Sequence, residues 1–103
     1  MILRVHFDPP GFFLNDPLCT LSVDGRILYE GSFKSGFDVR TEVPPGDVVL
    51  ETAIGGPVMR KQQIRLPLGG FGGYRGAEEV HARLSYSRMW GNFAKRAALS
   101  AKR

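Results

Sequence analysis

Two histidines, one cysteine and five turn-associated aspartates are the first side chains to weigh for metal binding or acid–base work. His6 and His81 fall on the polar phase of alternating segments, and a tetrahedral zinc site needs two further ligands that neither neighbourhood supplies. They read as solvated or packed histidines. Cys19, within Leu18-Cys19-Thr20-Leu21-Ser22-Val23, shares the phase of Leu21 and Val23, so it reads as a small buried apolar residue rather than a nucleophile. A single cysteine also rules out a disulfide or a thiolate cluster within the chain. Asp8, Asp16, Asp24, Asp38 and Asp47 lie in or beside turns. Carboxylates gathered at one end of a β domain can hold calcium, but turn preference alone accounts for this spacing.

Covalent catalysis finds no better footing. Ser22, Ser32, Ser35, Ser85 and Ser87 lack the Gly-x-Ser-x-Gly setting of a nucleophile elbow. The glycine-rich residues 69–76 are not followed by Gly-Lys-Ser/Thr, so they read as a flexible connection and not a phosphate cradle. No catalytic residue, cofactor or metal ligand is therefore assigned. An enzyme with no recognisable motif stays as one alternative.

Binding chemistry is better represented. Residues 83–96 interleave Arg83, Arg88, Lys95 and Arg96 with Tyr86, Trp90 and Phe93, a composition suited to a protein interface or to stacking and phosphate contact on a polyanion. Phe12-Phe13-Leu14 places three large apolar residues in a proline-bounded loop, where they either plug the open end of a core or form an exposed tip. The formal net charge is +4, distributed as +6 over residues 80–103 and −2 over residues 1–79.

These residues must be carried on strands. Ile2–Phe7 alternates, with Leu3, Val5 and Phe7 on one face, until Asp8-Pro9-Pro10-Gly11 stops it. Leu18–Val23 and residues 26–31 are joined by Asp24-Gly25, the dipeptide of a type I′ hairpin. Residues 33–43 read as one longer strand eased by Gly36, and Pro44-Pro45-Gly46 reverses the chain into residues 47–54. Residues 58–66 and 78–86 alternate in turn, the last with Val80, Ala82, Leu84 and Tyr86 inward. For residues 91–103, a basic tail, a short helix after Asn92, an edge strand through Phe93 and Ala94, and a loose end are all compatible with the residues.

The Val23-Asp24-Gly25-Arg26 turn, a glycine after the next short strand, and Val43-Pro44-Pro45-Gly46 before an alternating strand together resemble PEGA-type and carboxypeptidase-regulatory-like domains. The resemblance covers residues 21–50 and lacks the Thr-Pro and Gly-Tyr of the PEGA pattern. It implies a small β-sandwich, usually non-catalytic, of the kind that decorates bacterial surface, regulatory and scaffold proteins.

The expectation is one all-β domain over residues 1–103, an antiparallel sandwich of seven to eight strands. Its expected role is that of a non-catalytic protein-interaction or scaffold module, using Trp90, Arg88, Phe93, Phe12 and Phe13, or self-associating through an edge strand. The alternative is binding of nucleic acid or anionic lipid through residues 83–103. With no apolar run near the ~20 residues of a membrane span and no basic-then-apolar leader, a cytoplasmic location is expected.

Overall fold

The computed structural model describes residues 1–11, 13, 15–44, 46–55, 59–69 and 77–102. Among these residues ten strands follow in order: β1 (Ile2–Phe7), β2 (Leu18–Val23), β3 (Arg26–Ser32), β4 (Phe37–Glu42), β5 (Val48–Ile54), β6 (Arg60–Leu66), β7 (Glu79–Leu84), β8 (Tyr86–Ser87), β9 (Asn92–Phe93) and β10 (Ala98–Lys102). They form two four-stranded sheets, ordered β10-β7-β1-β4 and β3-β2-β5-β6, and a small ribbon of β8 with β9. The fold is thus an all-β sandwich, as the alternation predicts.

Period-two patterning sets the layers. Leu3, Val5 and Phe7 of β1 and Val80, Ala82 and Leu84 of β7 face Cys19, Leu21 and Val23 of β2 and Val48, Leu50 and Ile54 of β5, all buried. The hairpin at Asp24 is formed as its residues predict, with Asp24 in the left-handed region at φ 47°. One pair departs from the antiparallel rule: β1 runs parallel to β7, with Ile2 opposite Glu79 and Phe7 opposite Leu84. A parallel neighbour needs a long crossover, and the whole β3-β2-β5-β6 sheet lies in that connection.

Two expectations need correction. Residues 33–43 are not one strand, because Gly36 takes φ +66° and turns the chain, leaving Phe33 buried in the bend before β4. Nor do the described residues 91–102 form a helix or a loose tail. β10 pairs antiparallel with β7 along Ala98–Lys102, so the open edge of β7 overrides the helix preference of alanine and lysine.

Within the core Thr52 is fully buried, and its hydroxyl has no hydrogen-bond partner among the described residues. An isosteric apolar group there removes an unmet desolvation cost. Thr52→Val is expected to raise stability by about 1 kcal/mol, read as a higher midpoint in thermal unfolding.

Candidate functional site

The basic-aromatic run becomes a displayed turn. Seven aromatic rings close one end of the sandwich: Phe7, Phe13, Tyr29, Phe33, Phe37, Tyr86 and Phe93. The β8–β9 ribbon sits on this cluster, with Tyr86 opposite Phe93 in register. Phe93 is 2 % exposed, and its ring centroid lies 4.8 Å from that of Phe7. Phe93 therefore does not belong to an exposed binding face. It is the anchor beneath it, since alternation on a two-residue strand turns Phe93 inward and Asn92 outward.

Above this anchor, residues 88–91 form the loop of the ribbon. Met89 is 85 % exposed and Trp90 75 % exposed, so Trp90 protrudes and does not cap the sandwich end. The loop is nonetheless tightly held. Gly91 N–H donates to the Ser87 carbonyl at 2.8 Å and Ala94 N–H to the Ser85 carbonyl at 2.9 Å. Strand β6 supplies three further ties. Arg60 Nη1 donates to the Trp90 carbonyl at 3.2 Å, Gln62 Nε2 to the Phe93 carbonyl at 3.1 Å, and Asn92 Nδ2 to the Lys61 carbonyl at 2.9 Å. A groove of about 640 Å³ runs beside Trp90 toward Gln62 and Lys95. Because the Gln62 and Asn92 amides are engaged in holding the loop, the groove offers a ligand mainly the indole, Ser87 and Lys95.

Arg88 has a different task from its neighbours. Its Nη2 donates to the Pro10 carbonyl at 2.8 Å, and its guanidinium stacks 4.7 Å from the centroid of Phe13. Phe13 is half-buried, edge-on to Phe33 at 5.3 Å and to Tyr86 at 5.6 Å. Phe13 therefore plugs the aromatic end, and Arg88 clips the loop to it. Phe12 and Leu14 lie outside the described residues, as do residues 70–76 of the glycine-rich connection.

The residues with catalytic chemistry are dispersed among structural partners. Burial pushes the Cys19 thiol up to about 11, which leaves it a protonated core side chain at neutral pH. Asp16 accepts from Ser32 Oγ at 2.5 Å and Lys34 N–H at 3.0 Å, and these bonds hold its carboxyl below the ordinary range. Asp47 is lowered likewise by Arg65 at 2.7 Å and by Gly69 N–H at 3.1 Å. Asp24 accepts from Val49 N–H at 3.2 Å. On the outer face of the β10-β7-β1-β4 sheet, His6 lies between Asp8 at 2.7 Å and Asp38 at 3.4 Å, and His81 lies 3.1 Å from Glu79. Ser100 stands opposite His81 across β10 and β7, but no hydrogen bond joins them among the described residues, so the contact that would activate the hydroxyl is not made.

Arg4 and Asp38 form a two-point pair, with Nε to Oδ1 at 2.7 Å. Chiefly through this bond, the Asp38 carboxyl falls from 3.8 to about 2. A depressed carboxylate contributes stability that is whole above its ordinary value and fades as pH falls toward the depressed one. Acid titration from pH 3.8 to about 2 should therefore lower the thermal midpoint, and Asp38→Asn should flatten that part of the profile.

No family model, curated protein or solved structure matches this chain. Of the residues singled out in sequence, Arg88 and Phe13 are in contact, Trp90 projects from the same loop as Arg88, and Phe93 is buried in the aromatic cluster against Tyr86. Sequence reasoning missed Met89 as an exposed residue, and missed Arg60, Gln62 and Asn92 as the ties. The signal for the ribbon was present, since Ser85-Tyr86-Ser87 and Asn92-Phe93-Ala94 are two alternating triplets flanking a four-residue turn that ends in glycine.

Proposed function

We propose that this domain is a non-catalytic interaction module that engages a partner protein through the Met89–Trp90 tip of the β8–β9 loop. The observation that carries this reading is the exposure of two large apolar side chains, 85 % and 75 %, on a loop tied down from two sides. Tryptophan is the residue type most enriched among interface positions that dominate affinity. A loop already ordered by its own hydrogen bonds loses little conformational freedom when it docks, so more of the contact energy survives as affinity. The resemblance to PEGA-type modules points the same way.

Trp90 is the only tryptophan of the chain and so reports on its own contact. Its emission should be strongly quenched by acrylamide in the isolated protein and shielded in a complex. The decisive variant is Met89→Ser with Trp90→Ala. Both positions are exposed, so the thermal midpoint should move by no more than the equivalent of about 0.5 kcal/mol, whereas capture of a cross-linked partner should be lost. Unchanged capture by this variant would remove the reading. Arg88→Ala is a poorer test, because it also releases Pro10 and Phe13.

A further inference from the structure

A second surface, on the far side of the ribbon, indicates what chemistry the partner brings; it rests on reading the domain as an interaction module. Strand β10 is the outer strand of its sheet, bonded to β7 on one side and to no strand on the other among the described residues. Its outward side chains, Ala98 and Ser100, are small, while those of the next strand, Arg83 and His81, are long. A short row beside a tall one leaves a trough along β10. A depression of about 380 Å³ occupies it and a second of about 530 Å³ continues from its Ala98 end, and both are lined by Arg83 and Ala98. The first reaches Arg4 and His81; the second reaches Arg88, Arg96 and Asp8.

The other three edges are guarded more heavily than β10, whose one charged residue, Lys102, stands at its end. Outward positions of β4 carry Asp38, Arg40 and Glu42, β6 carries Arg60, Lys61 and Arg65, and the β2–β3 pairing shifts register after Leu21. Along β10 the register with β7 is unbroken, and Ala98, Leu99, Ser100 and Ala101 bear no charge. Leu99, on the inward face, packs against the core at its margin. An added strand would continue both the hydrogen-bond ladder and this apolar row.

Charge selects the occupant. Antiparallel pairing of β10 with a second copy would bring together two 80–103 segments, each carrying +6 with no acidic residue. In the trough, Arg83 has only Asp8, 3.9 Å away, and Arg96 has no ion pair or hydrogen bond among the described residues. We propose that an extended acidic peptide segment of a partner protein adds to β10 as the fifth strand of this sheet, its carboxylates facing Arg83 and Arg96 and its alternate apolar residues extending the row at Leu99.

The probe is a capped peptide of alternating valine and glutamate, titrated into the full chain and followed by NMR and amide hydrogen exchange. Binding should saturate, slow the exchange of the outward-pointing amides of β10, and weaken as salt rises. Arg83→Gln with Arg96→Gln should weaken binding about tenfold or more, as loss of charge-assisted hydrogen bonds implies; both side chains are exposed, so the fold should persist. Met89→Ser with Trp90→Ala should leave peptide affinity unchanged, which separates this surface from the loop tip. The proposal is overturned if β10 amides gain no protection, if a valine–lysine peptide binds as well, or if oligothymidylate binds more tightly with the same arginine dependence.

Discussion

Phe93→Ala is expected to lower stability by about 3–5 kcal/mol, the range for emptying a large aromatic site in a packed core. Phe93 contacts four other rings, with centroids 4.8 Å away for Phe7, 6.0 Å for Phe33, 6.2 Å for Tyr86 and 6.5 Å for Phe37. Those rings come from β1, the bend before β4, β4 itself and β8, so the cavity cannot close by moving one element. Against a total stability of about 5–15 kcal/mol for a domain, the loss amounts to a midpoint drop of roughly 12 °C or more. The functional consequence follows from the same packing. Phe93 is the fully buried side chain of the β8–β9 ribbon, and its carbonyl is the acceptor for Gln62. Removing the ring should free the loop, so that Trp90 loses partner affinity without being altered itself. Thermal unfolding by circular dichroism, with Trp90 fluorescence anisotropy at low temperature, checks both halves. A loss under about 1 kcal/mol would mean the ring is not the anchor described here.

Gly36→Ala is the second large effect. A Cβ at Gly36 would stand 2.3 Å from the Phe7 carbonyl oxygen, 2.9 Å from Pro9 N and 3.1 Å from the Asp8 carbonyl carbon, all backbone atoms at the end of β1. Those atoms cannot swing aside as a flexible side-chain tip would. The φ of +66° adds about 1–2 kcal/mol for any residue with a Cβ, and the overlap adds an overpacking cost of roughly 1–3 kcal/mol. Gly25→Ala is the matched control, since its φ is +84° but nothing lies within 4 Å of the added atom. Denaturant unfolding should show Gly36→Ala losing clearly more than Gly25→Ala. Equal losses would mean that conformation alone, and not the close approach of β1, requires glycine at position 36.

On the proposed reading, the two surfaces around the β8–β9 ribbon divide the work of recognition. The loop tip offers apolar area, with Met89 and Trp90 held out on the fixed arms of Arg60, Gln62 and Arg88. The trough beside β10 offers positive charge and an open ladder. Apolar anchors set how long a complex lasts, while charge around them sets how fast it forms and which partners are refused. All of the domain's surplus positive charge lies within residues 80–103, which carry +6 against −2 for residues 1–79 and contribute to both surfaces.

What was legible in the residues is what depends on near neighbours. The limits of β1 and β2, the hairpin at Asp24, the burial of Cys19 and the inward phase of Val80, Ala82 and Leu84 follow from period-two alternation and turn chemistry. Pairing across long separations left no such trace, and only the tertiary structure set β1 parallel to β7. Trp90 and Phe93 are two large aromatics in the same basic run. What separates them is that Phe7 and Phe33 leave a space for one ring, while Arg60 and Gln62 hold the backbone so that the other projects. The same holds for β10, whose alanines and lysine favour a helix in isolation but meet an unpaired edge of β7 in the folded chain. Side-chain period and turn preference are properties of a few adjacent residues. Which surface each one covers is decided by the groups still unpaired once the rest of the chain has closed.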